Sequence, residues 1–351
     1  MKIRDRIKHF LSILLIGFYV TDLSAQTEVG GVISSNETWV IDNSPYIVTG
    51  DITVNADATL SIASGVVVKF EYRSGNRRLS MIVNGQLDLQ GTVDSPVVFT
   101  SNRDDSYGGD SNGDGNATVP APGDWGLIRF NSDPGITNVF EHTIVRYGGR
   151  TQTSQFSGFT RNYNYMIWIS GADVTIRNNV IEHAYQTGIY ATGDANTEFV
   201  IANNTIRESQ TGLYVQNIGA QITGNEITRN ARGINIRGEF LNPGNAEVTG
   251  NTISDNDGYP LAQIDYAFPS YSGNTITGNT RQAIHVSGSM SPNQSSVGIW
   301  EDVQSLGLPY VVGGDVTVDK DMTLSIASGV VVKFEYRSGN RRLSMIVNGQ
   351  L

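Results

Sequence analysis

In the stretch DDSYGGDSNGDGN, Asp110, Asn112 and Asp114 stand at alternate positions with Gly115 behind them. Oxygen ligands at that spacing on a tight loop can converge on one hard cation, and Asp104, Asp105 or Asp124 could complete a calcium shell. The twelfth position of the loop is Ala121 rather than a bidentate Glu, so an EF-hand is excluded. The expectation is a calcium ion that rigidifies the loop, set against a solvated Asp/Asn/Gly segment with no ion. Four His and no Cys leave little for a zinc or copper centre, and no nucleophile elbow or phosphate loop is present.

A second group of residues suits sugar rings. Tyr190, Tyr214 and, in RNYNYMIW, Tyr163, Tyr165 and Trp168 are expected to face outward, where aromatic faces can contact carbohydrate. The competing reading is plain aromatic stacking that stabilises a sheet. His183, Glu208, Arg229 and Asp255 form a charged series beside them, read as a surface ion ladder of small energetic value.

The elements that position these groups follow from internal repetition. An Asn recurs at 179, 204, 225, 251 and 274, each followed two residues later by Ile181, Ile206, Ile227, Ile253 or Ile276. Three residues before each Asn stands Ile176, Ile201, Ile222, Val248 or Tyr271, and further on come Ile189, Leu213, Ile234, Leu261 and Ile284. The segments are short, β-branched and punctuated by Gly and Asn, so they read as strands and not helices. A spacing of 21 to 26 residues fits one coil of an all-β, right-handed parallel β-helix, with two or three strands per coil. The repeated Asn is expected to take the tight bend at a corner and to hydrogen-bond the Asn one coil away; Asn230, Asn256 and Asn279 suggest a second ladder.

Longer organisation is also readable. Residues 1–25 resemble an export signal: Lys2, Arg4, Arg6 and Lys8, then an apolar run from Phe10 to Val20, then a small-residue site at Leu23-Ser24-Ala25. That run is too short to span a bilayer, which makes an uncleaved anchor the lesser reading, and the lack of Cys excludes a lipoprotein. The signal holds four of the 24 basic and two of the 34 acidic side chains, so its removal takes the net charge from −10 to −12. A groove for nucleic acid is not expected on such a field. Residues 26–37 read as a linker and 38–298 as the solenoid, with loops inserted at 102–124 and 149–166. In Val66-Val67-Val68-Lys69-Phe70, alternation turns Val66, Val68 and Phe70 inward and Lys69 outward.

The phrases TLSIASGVVVKF, VNGQLDLQGTVDSPVVFTS and GDWGLIRF, followed by NNTI-type coils, resemble the secreted right-handed parallel β-helix repeat proteins, the pectate-lyase-like superfamily in its broad sense. They resemble in particular the large surface proteins that Gram-negative bacteria export through a type IX system. The resemblance implies a secreted or cell-surface monomer with a structural, adhesive or carbohydrate-binding role, its partner an extracellular polysaccharide or cell-surface glycan. It also implies an alternative, a polysaccharide lyase or glycoside hydrolase acting on acidic glycans. A pectate-type lyase needs a basic side chain facing a calcium-bridged uronate. Arg207, Arg229, Arg232 and Arg237 lie on the coils, but nothing in the sequence pairs them with carboxylates. The clustered Asp residues of the hydrolases are missing too, so no catalytic residue is assigned.

The 29 residues from Thr59 to Leu87 return unchanged from Thr323 to Leu351, an offset of 264. Residues 299–351 therefore read as the start of a second copy of a large unit, and the chain is expected to be a fragment of a longer protein.

Overall fold

The computed structural model describes residues 26–351 apart from 76, 134, 152–153, 157–158, 162–163, 194–196, 198, 240–243, 291–296, 304–305 and 339–341. Its architecture is a parallel β-solenoid. A representative coil runs through strands Phe199–Ala202, Thr205–Arg207 and Thr211–Gln216, and the next through Ala220–Thr223, Glu226–Thr228 and Arg232–Gly238. Each strand pairs in parallel with its counterpart one coil away. Among the described residues there is no α-helix, and so none that could cross a membrane.

Register stacks like on like inside the coils. Ile176, Ile201, Ile222, Val248 and Tyr271 are successive partners, as are Ile181, Ile206, Ile227, Ile253 and Ile276. A third column joins Ile189, Leu213, Ile234, Leu261 and Ile284. Nearly all of these side chains are fully buried, and each burial stabilises the stack by about 1.5–3 kcal/mol before the entropy of ordering is counted.

The corners differ from the expectation. Positive φ falls on the residue before each ladder Asn, namely Asn178, Asn203, Gly224, Gly250 and Gly273, and not on the ladder Asn itself. The left-handed bend suits Gly or Asn, which frees the next residue to point its amide into the coil. The second corner works alike: His183, Glu208, Arg229, Asp255 and Gly278 carry positive φ, and Asn230, Asn256 and Asn279 follow the last three.

The solenoid also starts earlier than Thr38. Thr27–Ile33 is a strand paired with Tyr46–Val54, so residues 26–37 are not a linker. Gly31 sits at φ +92° where the register shifts, and a Cβ on Gly30 would lie 3.0 Å from the Gly50 backbone. Likewise 149–166 is not loop throughout: it contains the paired strands Ser154–Phe156 and Phe159–Arg161, and Tyr165 opens the strand Tyr165–Ser170.

The large unit repeats in space as well as in sequence. Ile284–Met290 pairs with Tyr310–Val318 as Thr27–Ile33 pairs with Tyr46–Val54, with a register shift at the same place. Trp300 stacks on Tyr310 at 5.0 Å between ring centres, and Trp39 on Tyr46 at 4.7 Å.

Candidate functional site

The long strands carry one outward column along the solenoid. Register joins Arg129, Trp168, Tyr190, Tyr214, Asn235, Ala262, His285, Val311 and Lys333 in that order. Its first half is aromatic. Tyr165 stacks on Tyr190 at 4.0 Å, Tyr190 meets Tyr214 edge-on at 5.3 Å, and the Arg129 guanidinium lies 3.9 Å from the centre of Trp168. Tyr190 is buried under its neighbours and its hydroxyl donates to Gln216 Oε1 at 2.8 Å. Burial raises the Tyr190 hydroxyl far above its ordinary value, so it stays a donor. Tyr163 lies outside the described residues.

The second half of the column opens into a hollow of about 710 Å³, lined among others by Arg232, Tyr259, Arg281, His285, Glu335 and Arg337. The Tyr259 hydroxyl donates to Glu335 Oε1 at 2.7 Å, and Arg281 donates to that hydroxyl at 3.1 Å and pairs with Glu335. Burial raises the Tyr259 hydroxyl, and the Glu335 bond adds to it. Burial would raise Glu335 too, but the Tyr259 and Arg281 donors outweigh it and hold the carboxyl below its usual range. His285, half-buried with its ring centre 5.2 Å from that of Tyr259, is pushed down by burial and is neutral at pH 7. Three guanidinium groups against one carboxylate make this hollow cationic on an acidic protein.

Sequence reasoning missed most of this site. Of its basic residues only Arg232 had been marked, because the others lie on loops between strands or in the second copy, at no fixed spacing from the Asn repeat. One signal was available. Where the first copy reads PYIVTG the second reads PYVVGG, so Gly313 replaces Thr49, and a Cβ at Gly313 would lie 2.2 Å from His285 Nε2.

The six candidate calcium ligands are placed differently. Asp110 accepts from the backbone N–H groups of Gly113, Asp114 and Gly115. Asn112 and Thr118 donate to Asp114 Oδ2, and the Thr118 bond is the main cause that lowers its carboxyl. Asp104 binds Thr100 and Ser106 and pairs with Arg146 at 3.6 Å. Asp124 binds Ser101 and the Ala121 N–H and pairs with Arg103 at 3.6 Å. Amide, hydroxyl and guanidinium donors thus occupy these four carboxylates, whereas Asp105, which burial raises, has a buried Oδ1 with no hydrogen-bond partner among the described residues, as does Asn112. Lys69 does leave the coil, as alternation requires, but it is fully buried under the 102–124 insertion, with Nζ donating to Gly109 O at 2.5 Å.

Among the described residues, the His, Cys, Asp and Glu group close enough for a metal is Glu182, His183 and Glu208. Glu182 is clamped by Arg146 at 3.1 Å and Arg207 at 2.6 Å, and Glu208 by His183 and Arg229 at 2.9 and 3.2 Å. These contacts satisfy the carboxylates from both neighbouring coils.

Asn179, Asn204, Asn225, Asn251 and Asn274 form one buried column, each Nδ2 donating to the next Oδ1 at 2.9–3.0 Å. The Oδ1 of Asn204, Asn225, Asn251 and Asn274 also accepts the backbone N–H of the preceding Asn, and that of Asn179 accepts the Thr143 N–H. Asn230, Asn256 and Asn279 form a second column that Ser209 extends, donating its N–H to Asn230 Oδ1 at 3.0 Å.

Residues 31–162 match the family model described as a pectate-lyase-like β-helix domain, and residues 165–297 match the model of a right-handed β-helix region. No curated protein and no solved structure matches the chain. Over most of its length, the chain is built of right-handed β-helix and pectate-lyase-like β-helix domains.

Proposed function

We propose that this is a secreted or cell-surface β-helix protein that binds an acidic polysaccharide along the outward column from Trp168 to His285. The supporting observation is continuity: register places the aromatic half and the arginine-lined hollow on one strand line. Coils rise by about 4.8 Å, so the column from Trp168 to His285 spans about 24 Å, room for several sugar rings in line. Aromatic faces take the apolar faces of sugars, and guanidinium groups take carboxylates in bidentate pairs.

A second reading, lyase action on a uronate, is favoured by neutral His285 beside the protonated Tyr259 in the same hollow. One would accept the proton next to the carboxylate and the other would deliver one to the leaving oxygen. A hydrolase draws less support, because among the described residues Glu335 is the one carboxylate lining the hollow and it is tied to Arg281 and Tyr259.

A panel of uronate-containing and neutral polysaccharides tests both readings, scored for retention and for unsaturated-uronate absorbance, with and without chelator. Retention of uronate polymers only, reduced about tenfold by Arg281→Ala or Trp168→Ala, is the expected result. Equal retention of neutral polymers, or indifference to both substitutions, overturns the binding reading; absorbance growth lost in His285→Ala establishes the lyase.

A further inference from the structure

Glu71 and Glu335 stand at the same place in identical sequence, and their backbones are held alike. The Glu71 N–H donates to Val48 O and the Glu335 N–H to Val312 O, both at 3.0 Å. Their side chains then part. Glu71 turns along its own strand to the guanidinium of Arg73 at 2.7 Å. Glu335 leaves the matching Arg337 and reaches across the junction between the two units, where it accepts from the Tyr259 hydroxyl at 2.7 Å and pairs with Arg281. The two arginines keep one position: Arg73 donates to Thr49 O, and Arg337 donates to the equivalent carbonyl of Gly313.

This carboxylate therefore has two guanidinium partners within its reach, and the first copy displays the pairing that the second does not use. Neither pairing is sealed from water. Glu71 and Arg73 keep 40% and 41% of their side-chain surface exposed although further coils pack on the first copy, and Arg281 keeps 54% beside Glu335. Ion pairs so open to solvent are weak, so moving Glu335 from Arg281 to Arg337 exchanges one weak pair for another.

We infer that Glu335 is an exchangeable carboxylate gate on the cationic hollow: on Tyr259 and Arg281 it fills the place of a uronate carboxylate, and it swings to Arg337 when that ligand enters. The charges then balance in pairs. Glu335 meets Arg337, while Arg281 and the Tyr259 hydroxyl donate to the incoming carboxylate as they now donate to Glu335. A neutral sugar has no group that can take this place, so the gate discriminates against neutral polymers. It deepens the uronate-binding reading and rests on it.

Labelled oligomers of galacturonate and of mannuronate are titrated by fluorescence anisotropy into the full chain and into Glu335→Gln, Arg337→Ala and the double variant. Glu335→Gln keeps the side chain's shape and its bond to Tyr259 but removes the competing charge, so affinity is expected to rise about fivefold, the worth of one exposed ion pair. Arg337→Ala takes away the partner of the displaced carboxylate. Affinity should fall about fivefold in the parent, and less than about twofold once residue 335 is Gln, because the two sites act through one contact. The Glu335→Gln result decides alone if Arg337→Ala melts early. Affinity unchanged or lowered in Glu335→Gln, or an equal loss from Arg337→Ala in both backgrounds, overturns the gate and leaves the binding reading standing. No binding of either oligomer to the parent or to Glu335→Gln overturns both.

Discussion

The Cβ that Gly313 lacks would fall 2.2 Å from Nε2 of His285, so the depth of the cationic hollow depends on a position where the otherwise similar first copy carries Thr49. Gly313→Thr should displace His285 and fill the floor. Uronate-polymer retention is expected to drop about tenfold, and overpacking should cost about 1–3 kcal/mol in a urea titration. Retention at the parent level would show that the ligand does not reach His285.

Asn225 is 1% exposed and holds two coils at once: its Oδ1 accepts from Asn204 N and Nδ2, and its Nδ2 donates to Ile201 O and Asn251 Oδ1. Asn225→Ala leaves buried donors and acceptors unpaired, at about 1–3 kcal/mol each, so a loss of about 3 kcal/mol or more is expected. Asn225→Asp keeps the acceptor but sets a carboxylate against two oxygens, and should do no better at neutral pH. A loss within about 0.5 kcal/mol for Ala would show the ladder to be replaceable by water.

Burial holds His285 below its ordinary value of 6.5. A depressed histidine binds fewer protons in the folded state than in the unfolded state, so folded stability rises with pH across that interval. The contribution is therefore present above pH 6.5 and is lost as pH falls through the folded value. Denaturant midpoints between pH 7 and 5 should decline in the parent and decline less in His285→Gln. Parallel profiles would place His285 in a solvent-like setting.

The coil stack was legible in the sequence because each coil repeats the same chemistry at the same three inward positions, Ile201, Ile206 and Leu213 being one set. The corner was misread since Asn178 and Asn179 are adjacent and alike; only the coils with Gly224-Asn225, Gly250-Asn251 and Gly273-Asn274 separate the bending residue from the ladder residue. The Thr27 strand was hidden by its Gly-Gly pair. The hollow was illegible for a different reason: Tyr259, Arg281 and Glu335 come from unrelated sequence positions, and only the stacking of the second copy onto the first brings them together. The aromatic column was legible as residues, but that it runs on into His285 could be seen only from the register.

Lys69 and Lys333 occupy the same place in identical sequence, one sealed beneath the 102–124 insertion and one exposed. Lys69→Met removes the cation that faces Asp104, Asp105 and Asp110 and leaves those carboxylates without it. Losing the Nζ bond leaves the Gly109 carbonyl unpaired, at about 1–3 kcal/mol, and the burial penalty that already lowers the Lys69 amine will offset part of this. The loss should fall on the insertion first, since the inward packing of Val68 and Phe70 is untouched. Limited proteolysis is expected to cut Lys69→Met within 102–124 while the parent resists. If the variant behaves like the parent, the insertion is held by its own turns, those of Asp110 and Asp114, and not by the lysine beneath it.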